Sequence, residues 1–127
     1  MEEQFIPYNE ALSLKELNFN MPCFGYFNLT WDKPNQLLFP QYAGELENWN
    51  NSVHLCSAPL YQQAFQFFRE KYKLLGIVGY IDDNSGKFMA VIDKISEDID
   101  YSMNSLDIYK EAQLECLRKL IEICKKN

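Results

Sequence analysis

The chain is poor in the residues on which most recognisable chemistries are built. Its 127 residues hold one histidine, five glycines and five prolines. It has no glycine-rich phosphate loop, no Gly-x-Ser-x-Gly elbow, no His-Glu-x-x-His pair and no basic, aromatic nucleic-acid signature. Four cysteines, Cys23, Cys56, Cys116 and Cys124, form no Cys-x-x-Cys pair and no dense secreted framework. Cys116 and Cys124 stand eight positions apart on one expected helix, about 12 Å along its axis, too far to join. With a single histidine and scattered thiols, no metal-ligand spacing is present and no cofactor is implied. Positive charge is scarce too: 12 basic against 18 acidic residues leave a net charge of −6. Such a balance repels phosphate, so nucleic acid and anionic membrane surfaces are poor partners. No apolar run approaches the roughly 20 residues of a membrane span. The start, MEEQFIPYNE, is acidic and lacks the apolar core of a signal peptide, so a cytoplasmic, reduced protein is expected.

What is present is a domain's worth of core. Hydrophobic residues make up 47% and aromatics 15%, too rich for a disordered chain and enough for a single domain over residues 1–127 without metal or disulfide. A first helix is expected over about residues 7–17, a second from near Pro59 to about residue 73, and a third over about residues 106–125. CFGYFNL and QLLFPQ read as a strand pair joined by a turn at residues 31–35. A polar loop, QYAGELENWNN, follows, and VHLC reads as a short strand. GIVGYID and KFMAVID form the clearest hairpin, closed by Asp83-Asn84-Ser85-Gly86. The expected class is α+β, a mostly antiparallel sheet of four or five strands with three helices in the order α-β-β-α-β-β-α.

One phrase recurs: Tyr8-Asn9-Glu10-Ala11, Tyr61-Gln62-Gln63-Ala64 and Tyr109-Lys110-Glu111-Ala112 each open an expected helix. Residues three and four apart share a helix face, so Ala11, Ala64 and Ala112 fall on apolar stripes and read as points of close approach. The first two copies each precede a strand containing Gly-Tyr (Gly25-Tyr26, Gly79-Tyr80), so an αββ duplication closed by a third helix is expected.

Three segments, EALSLKELNFNMPCFGYF, APLYQQAFQFFREKY and YKEAQLECLRKLIEI, together resemble small uncharacterised proteins encoded by bacteriophages and prophages, notably of gut Bacteroidetes. They cover about a third of the chain and keep the same order. The resemblance implies a phage accessory protein in the cytoplasm of a bacterial host. It carries over no activity and no site residues.

Two candidate sites follow from the residues themselves. Trp31, Phe39, Tyr42 and Trp49 crowd the first strand pair and the polar loop, and such aromatics suit a protein–protein contact. That supports a non-enzymatic protein acting on a host factor or defence component. The alternative is a small-molecule binder or enzyme with a pocket between helices and sheet, where His54 and Cys56 are the reactive candidates on one face of a strand. Residues two apart on a strand lie roughly 6.5–7 Å apart, a long reach for a nucleophile pair. Asp82–Lys87 looks superficially like a calcium loop, but its glycine and twelfth residue are misplaced and a hairpin turn accounts for it. Self-association through a sheet edge or the aromatic loop is a third reading.

Overall fold

A computed structural model describes residues 2–40, 46–80, 87–94, 100–102 and 109–126. The class is α+β, with three helices and small antiparallel sheets. The elements are α1 (Tyr8–Glu16), β1 (Gly25–Asn28), β2 (Leu55–Ala58), α2 (Tyr61–Lys71), β3 (Leu74–Tyr80), β4 (Phe88–Lys94), β5 (Asp100–Ser102) and α3 (Tyr109–Lys126). The strands do not join into one sheet as expected: β1 and β2 pair with each other, and β3, β4 and the short β5 form a separate sheet in that order. The chain divides into two compact units, Met1–Ala64 and Phe65–Asn127.

In the first unit, Pro7 precedes α1, where a missing N–H costs nothing. The helix ends in a Schellman arrangement. Asn18 takes a left-handed φ of 67°, its N–H bonds the Lys15 carbonyl at 3.0 Å, and the Phe19 N–H bonds the Leu14 carbonyl at 2.9 Å. Leu14 and Phe19, the residues that such a cap brings together, are both buried.

The partner of β1 is the first correction. GYFN pairs with LCSA (Gly25↔Ala58 through Asn28↔Leu55), and QLLFPQ contributes one isolated bridge, Tyr26↔Leu38. Pro40 has no N–H to extend that bridge, which consists of the reciprocal bonds between Tyr26 and Leu38, each N–H donating to the other's carbonyl at 2.9 Å. Gly25 is required by closeness. A Cβ there would meet Leu37 Cδ1 at 3.0 Å and Phe5 Cε1 at 3.2 Å.

In the second unit, β3 and β4 pair over seven residues, from Leu74↔Lys94 to Tyr80↔Phe88. Their expected turn at residues 83–86 and the acidic stretch 96–99 lie outside the described residues. Most of each expected helix stripe is buried: Ala112, Cys116, Leu117, Leu120 and Cys124 on α3, and Phe68 on α2, while Phe65, Tyr72 and Ile123 are half-buried and Tyr109 is exposed. Gly76 lets α3 come down on β3, since a Cβ there would meet Cys116 Sγ at 3.0 Å and Leu120 Cδ1 at 3.2 Å.

All three motif alanines, Ala11, Ala64 and Ala112, are 0% exposed. Their tyrosines differ. Tyr61 is buried, Tyr8 packs edge-on to Phe27, and Tyr109 is exposed against Phe88. Nor do the Gly-Tyr pairs hold equivalent places. Gly25 opens β1 in tight contact, whereas Gly79 sits near the end of β3 with nothing within 4 Å of a built Cβ.

Candidate functional site

The aromatic candidates separate into inward and outward groups once the first unit folds. Trp49 begins a 3₁₀ turn, Trp49–Asn51, capped by Asn48, whose Oδ1 accepts from the Asn50 N–H at 3.1 Å. Its indole Nε1 donates to the Cys23 carbonyl at 2.8 Å, and its ring lies on Tyr26 with centroids 4.5 Å apart. A buried or half-buried indole whose donor is satisfied within the chain braces that chain. Phe39 packs against Phe5 and Phe24 at 5.5 and 5.3 Å and is still 37% exposed. Tyr42 lies outside the described residues.

Trp31 is the outward one. It follows β1 in a turn held by Asn28, whose Oδ1 accepts from the Thr30 N–H at 3.0 Å and from its hydroxyl at 2.7 Å. The ring remains 49% exposed and lines an open groove of about 450 Å³ with Thr30, Asp32, Lys33 and Gln36. The ladder continues one bond past β1, from the Leu29 N–H to the His54 carbonyl at 2.9 Å. That bond sets Val53, 79% exposed, at the same end of the two-stranded sheet as Trp31. Two large apolar side chains therefore stand in solvent at one end of β1 and β2. Val53 was not among the sequence candidates; a lone valine beside a polar loop carries no signal until the pairing of β1 with β2 is known.

The reactive pair does not assemble as expected. β2 begins at Leu55, so His54 lies in the preceding turn, exposed, with its N–H bonded to Ser52 Oγ at 3.2 Å. Cys56 is wholly buried. Burial pushes its thiol up to about 11, against the lowering pull of the Lys15 ammonium. A thiol so held is overwhelmingly protonated near neutral pH and is a poor nucleophile. Cys23 is pushed to about 12, first by burial and then by Cys56, with the neighbouring Ser57 hydroxyl opposing.

Beneath these residues runs a polar brace that sequence reading did not single out. Lys15 Nζ donates to the carbonyls of Ser52, at 2.7 Å, and Leu55. Asn50 Nδ2 donates to the Phe19 carbonyl at 3.0 Å, and its Oδ1 accepts from the Ser57 N–H at 2.8 Å. Gln63 Oε1 accepts from the Leu60 N–H at 3.0 Å and its Nε2 donates to the Pro22 carbonyl at 2.9 Å. The Ser57 hydroxyl, buried among them, finds no nitrogen or oxygen partner. Each contact joins positions distant in sequence, so no local pattern marks it.

Among the described residues, no group of three His, Cys, Asp or Glu side chains is placed to hold a metal ion, and no helix is long and apolar enough to cross a membrane. No protein-family model matches this sequence, no curated protein matches it, and no solved structure matches its fold.

Proposed function

We propose that this is a non-enzymatic accessory protein of phage type that works by binding another protein, a host factor or defence component, with Trp31 as its anchor. The observation that carries the reading is that Trp31 and Val53, both exposed, lie past the same end of the β1–β2 pair. Tryptophan supplies large contact area at little conformational cost and is enriched among residues that dominate binding. The net charge of −6 favours a partner face that carries basic residues. With Trp49 bonded to the Cys23 carbonyl, Trp31 in the turn after β1 is the exposed tryptophan of the expected set. The enzyme reading gains nothing from the geometry of its candidates, since the thiol of Cys56 is sealed and His54 sits outside the strand.

Affinity capture from host lysate, followed by titration of the purified partner, tests this. Trp31→Ala should weaken binding by roughly 30-fold, the effect of a residue worth about 2 kcal/mol at an interface, with circular dichroism unchanged. Trp49→Ala should instead lower the melting temperature. The same partners bound equally tightly by wild type and Trp31→Ala would remove Trp31 from the interface.

A further inference from the structure

The second unit presents an edge that proteins ordinarily protect. β3 is hydrogen-bonded to β4 along one side, and among the described residues no strand pairs with its other side; the Ile77 backbone also meets the thiol of Cys116. Free edges are usually blunted by lysine, proline, bulges or brevity. β3 has none of these: its seven residues, LLGIVGY, include no charge and no proline. The opposite edge of the sheet is treated differently, since β5 is three residues long.

The faces of β3 are fixed by Gly76, whose built Cβ points at Cys116 and Leu120 of α3. Successive side chains alternate, so Leu74, Gly76 and Val78 face the helix layer while Leu75, Ile77 and Gly79 face away. On the outward side Ile77 is 49% exposed, and a Cβ on Gly79 would meet nothing within 4 Å. The neighbours of Ile77 and Gly79 across the ladder are Val91 and Met89, which extend the apolar strip onto β4.

We propose that two copies of this chain associate by pairing β3 with β3, antiparallel, about a two-fold axis at Ile77. A second copy fits because the strand is complementary to itself in that register. Ile77 falls opposite Ile77 of the second copy, Leu75 opposite Gly79, and Val78 opposite Gly76. Each bulky side chain beside the axis thus meets a glycine on the same face, and the symmetry supplies each pairing twice. A strand of unrelated sequence would satisfy the backbone groups without matching this alternation. The pairing turns two sheets ordered β3-β4-β5 into one continuous six-stranded sheet. A strand pair of this length buries less than a standard stable interface, so the dimer is weak and concentration-dependent. It uses a surface separate from Trp31, and Trp31→Ala leaves it intact.

Sedimentation velocity from low micromolar to near-millimolar protein should show a monomer–dimer equilibrium. Ile77→Lys should keep the chain monomeric across that range with an unchanged circular dichroism spectrum and melting temperature, because Ile77 is half-exposed in the monomer. As an independent arm, Ile77→Cys should form an intermolecular disulfide on mild oxidation, since directly opposed Cβ atoms lie about 4.5–5.5 Å apart. Val53→Cys, although more exposed, should not cross-link, and the four native thiols are buried and do not compete. A monomer at every concentration, a dimer that survives Ile77→Lys, or equal cross-linking at positions 53 and 77 would each overturn the pairing. A monomeric wild type whose capture of a different protein is lost on Ile77→Lys would assign the edge to that protein and not to a second copy.

Discussion

The two units of this chain are held by different physics. In the second, an apolar helix face lies on a regular hairpin: Leu117 and Leu120 are fully buried, and Gly76 is bare so that α3 can approach. In the first, a four-residue strand pair is joined by residues 29–54, and polar side chains stand in for a ladder. Trp49, Asn50, Lys15 and Gln63 each donate to a backbone carbonyl elsewhere in the fold. Apolar packing is non-directional and tolerates slow change in shape, whereas a buried carbonyl or N–H that loses its partner bears the full cost of its desolvation. The first unit should therefore fail abruptly when single polar atoms are removed, and the second when volume is removed.

Alkaline titration probes both units and carries the largest expected effect. Burial raises the thiols of Cys23 and Cys116 to about 12 and of Cys56 to about 11, from an ordinary 9.0. Burial also raises Cys124 to about 11, opposed by Lys71. A raised folded-state value means the fold prefers the neutral thiol. That contribution is complete below pH 9 and is lost as pH climbs through 9 towards 12, because the unfolded chain ionises first. Cys23 and Cys116 should each remove about 1.4 kcal/mol per pH unit between about pH 9 and 12, and Cys56 the same between about pH 9 and 11. Denaturant midpoints measured between pH 8 and 11 check this. The combined Cys23→Ala, Cys56→Ala variant should show a shallower decline than Cys116→Ala, since it removes two raised thiols where Cys116→Ala removes one. Equal slopes in all variants would show that the thiols are not what alkali attacks.

Next in size is a matched pair of truncations. Leu120→Ala should cost about 2–5 kcal/mol through lost burial and the cavity left under α3. Asn50→Ala removes far less volume, yet it takes the acceptor from the Ser57 N–H, at about 1–3 kcal/mol, together with the bond to the Phe19 carbonyl. Restoring volume should separate the two. Leu120→Met should recover most of the loss, while Asn50→Leu should recover little. Chemical denaturation of the four variants decides it, and recovery by Asn50→Leu would mean that the first unit is held by packing after all.

The same contrast explains what was legible in the sequence. Helix limits came within a few residues, and the β3–β4 hairpin was readable, because both rest on local periodicity. Phe67 and Ile121 are buried beside Phe68 and Leu120, so each apolar face is one position wider than a single stripe. In the first unit the nearest plausible strand, QLLFPQ, is the expected partner of CFGYFNL because neighbours in sequence usually pair. The real partner lies beyond the polar loop, held there by Asn50 and Lys15, and nothing local to either residue announces a bond so far along the chain. The candidate site inherited that limit. Trp31 and Trp49 are equally conspicuous in sequence, and only the pairing of β1 with β2 turns one inward and leaves the other out.

The smallest expected effect sharpens the comparison at a single backbone angle. Both α1 and α2 are followed by a residue in left-handed conformation, Asn18 at φ 67° and Lys73 at φ 59°. Asparagine tolerates this region because its short amide can bond locally, and around Asn18 two carbonyls of α1 are satisfied by the cap. Lysine has no such compensation from its Cβ. The bond from Lys73 Nζ to the Glu70 carbonyl, 3.1 Å, is exposed and returns little. Lys73→Gly should therefore stabilise the protein by about 0.5–1 kcal/mol, since relief of left-handed strain outweighs the added freedom of the unfolded glycine. Asn18→Gly should change stability by only a few tenths of that unit, because less strain is present to relieve. Thermal melts of the two variants under one buffer are enough. A destabilising Lys73→Gly would mean that the lysine side chain contributes more at the end of α2 than its exposed hydrogen bond suggests.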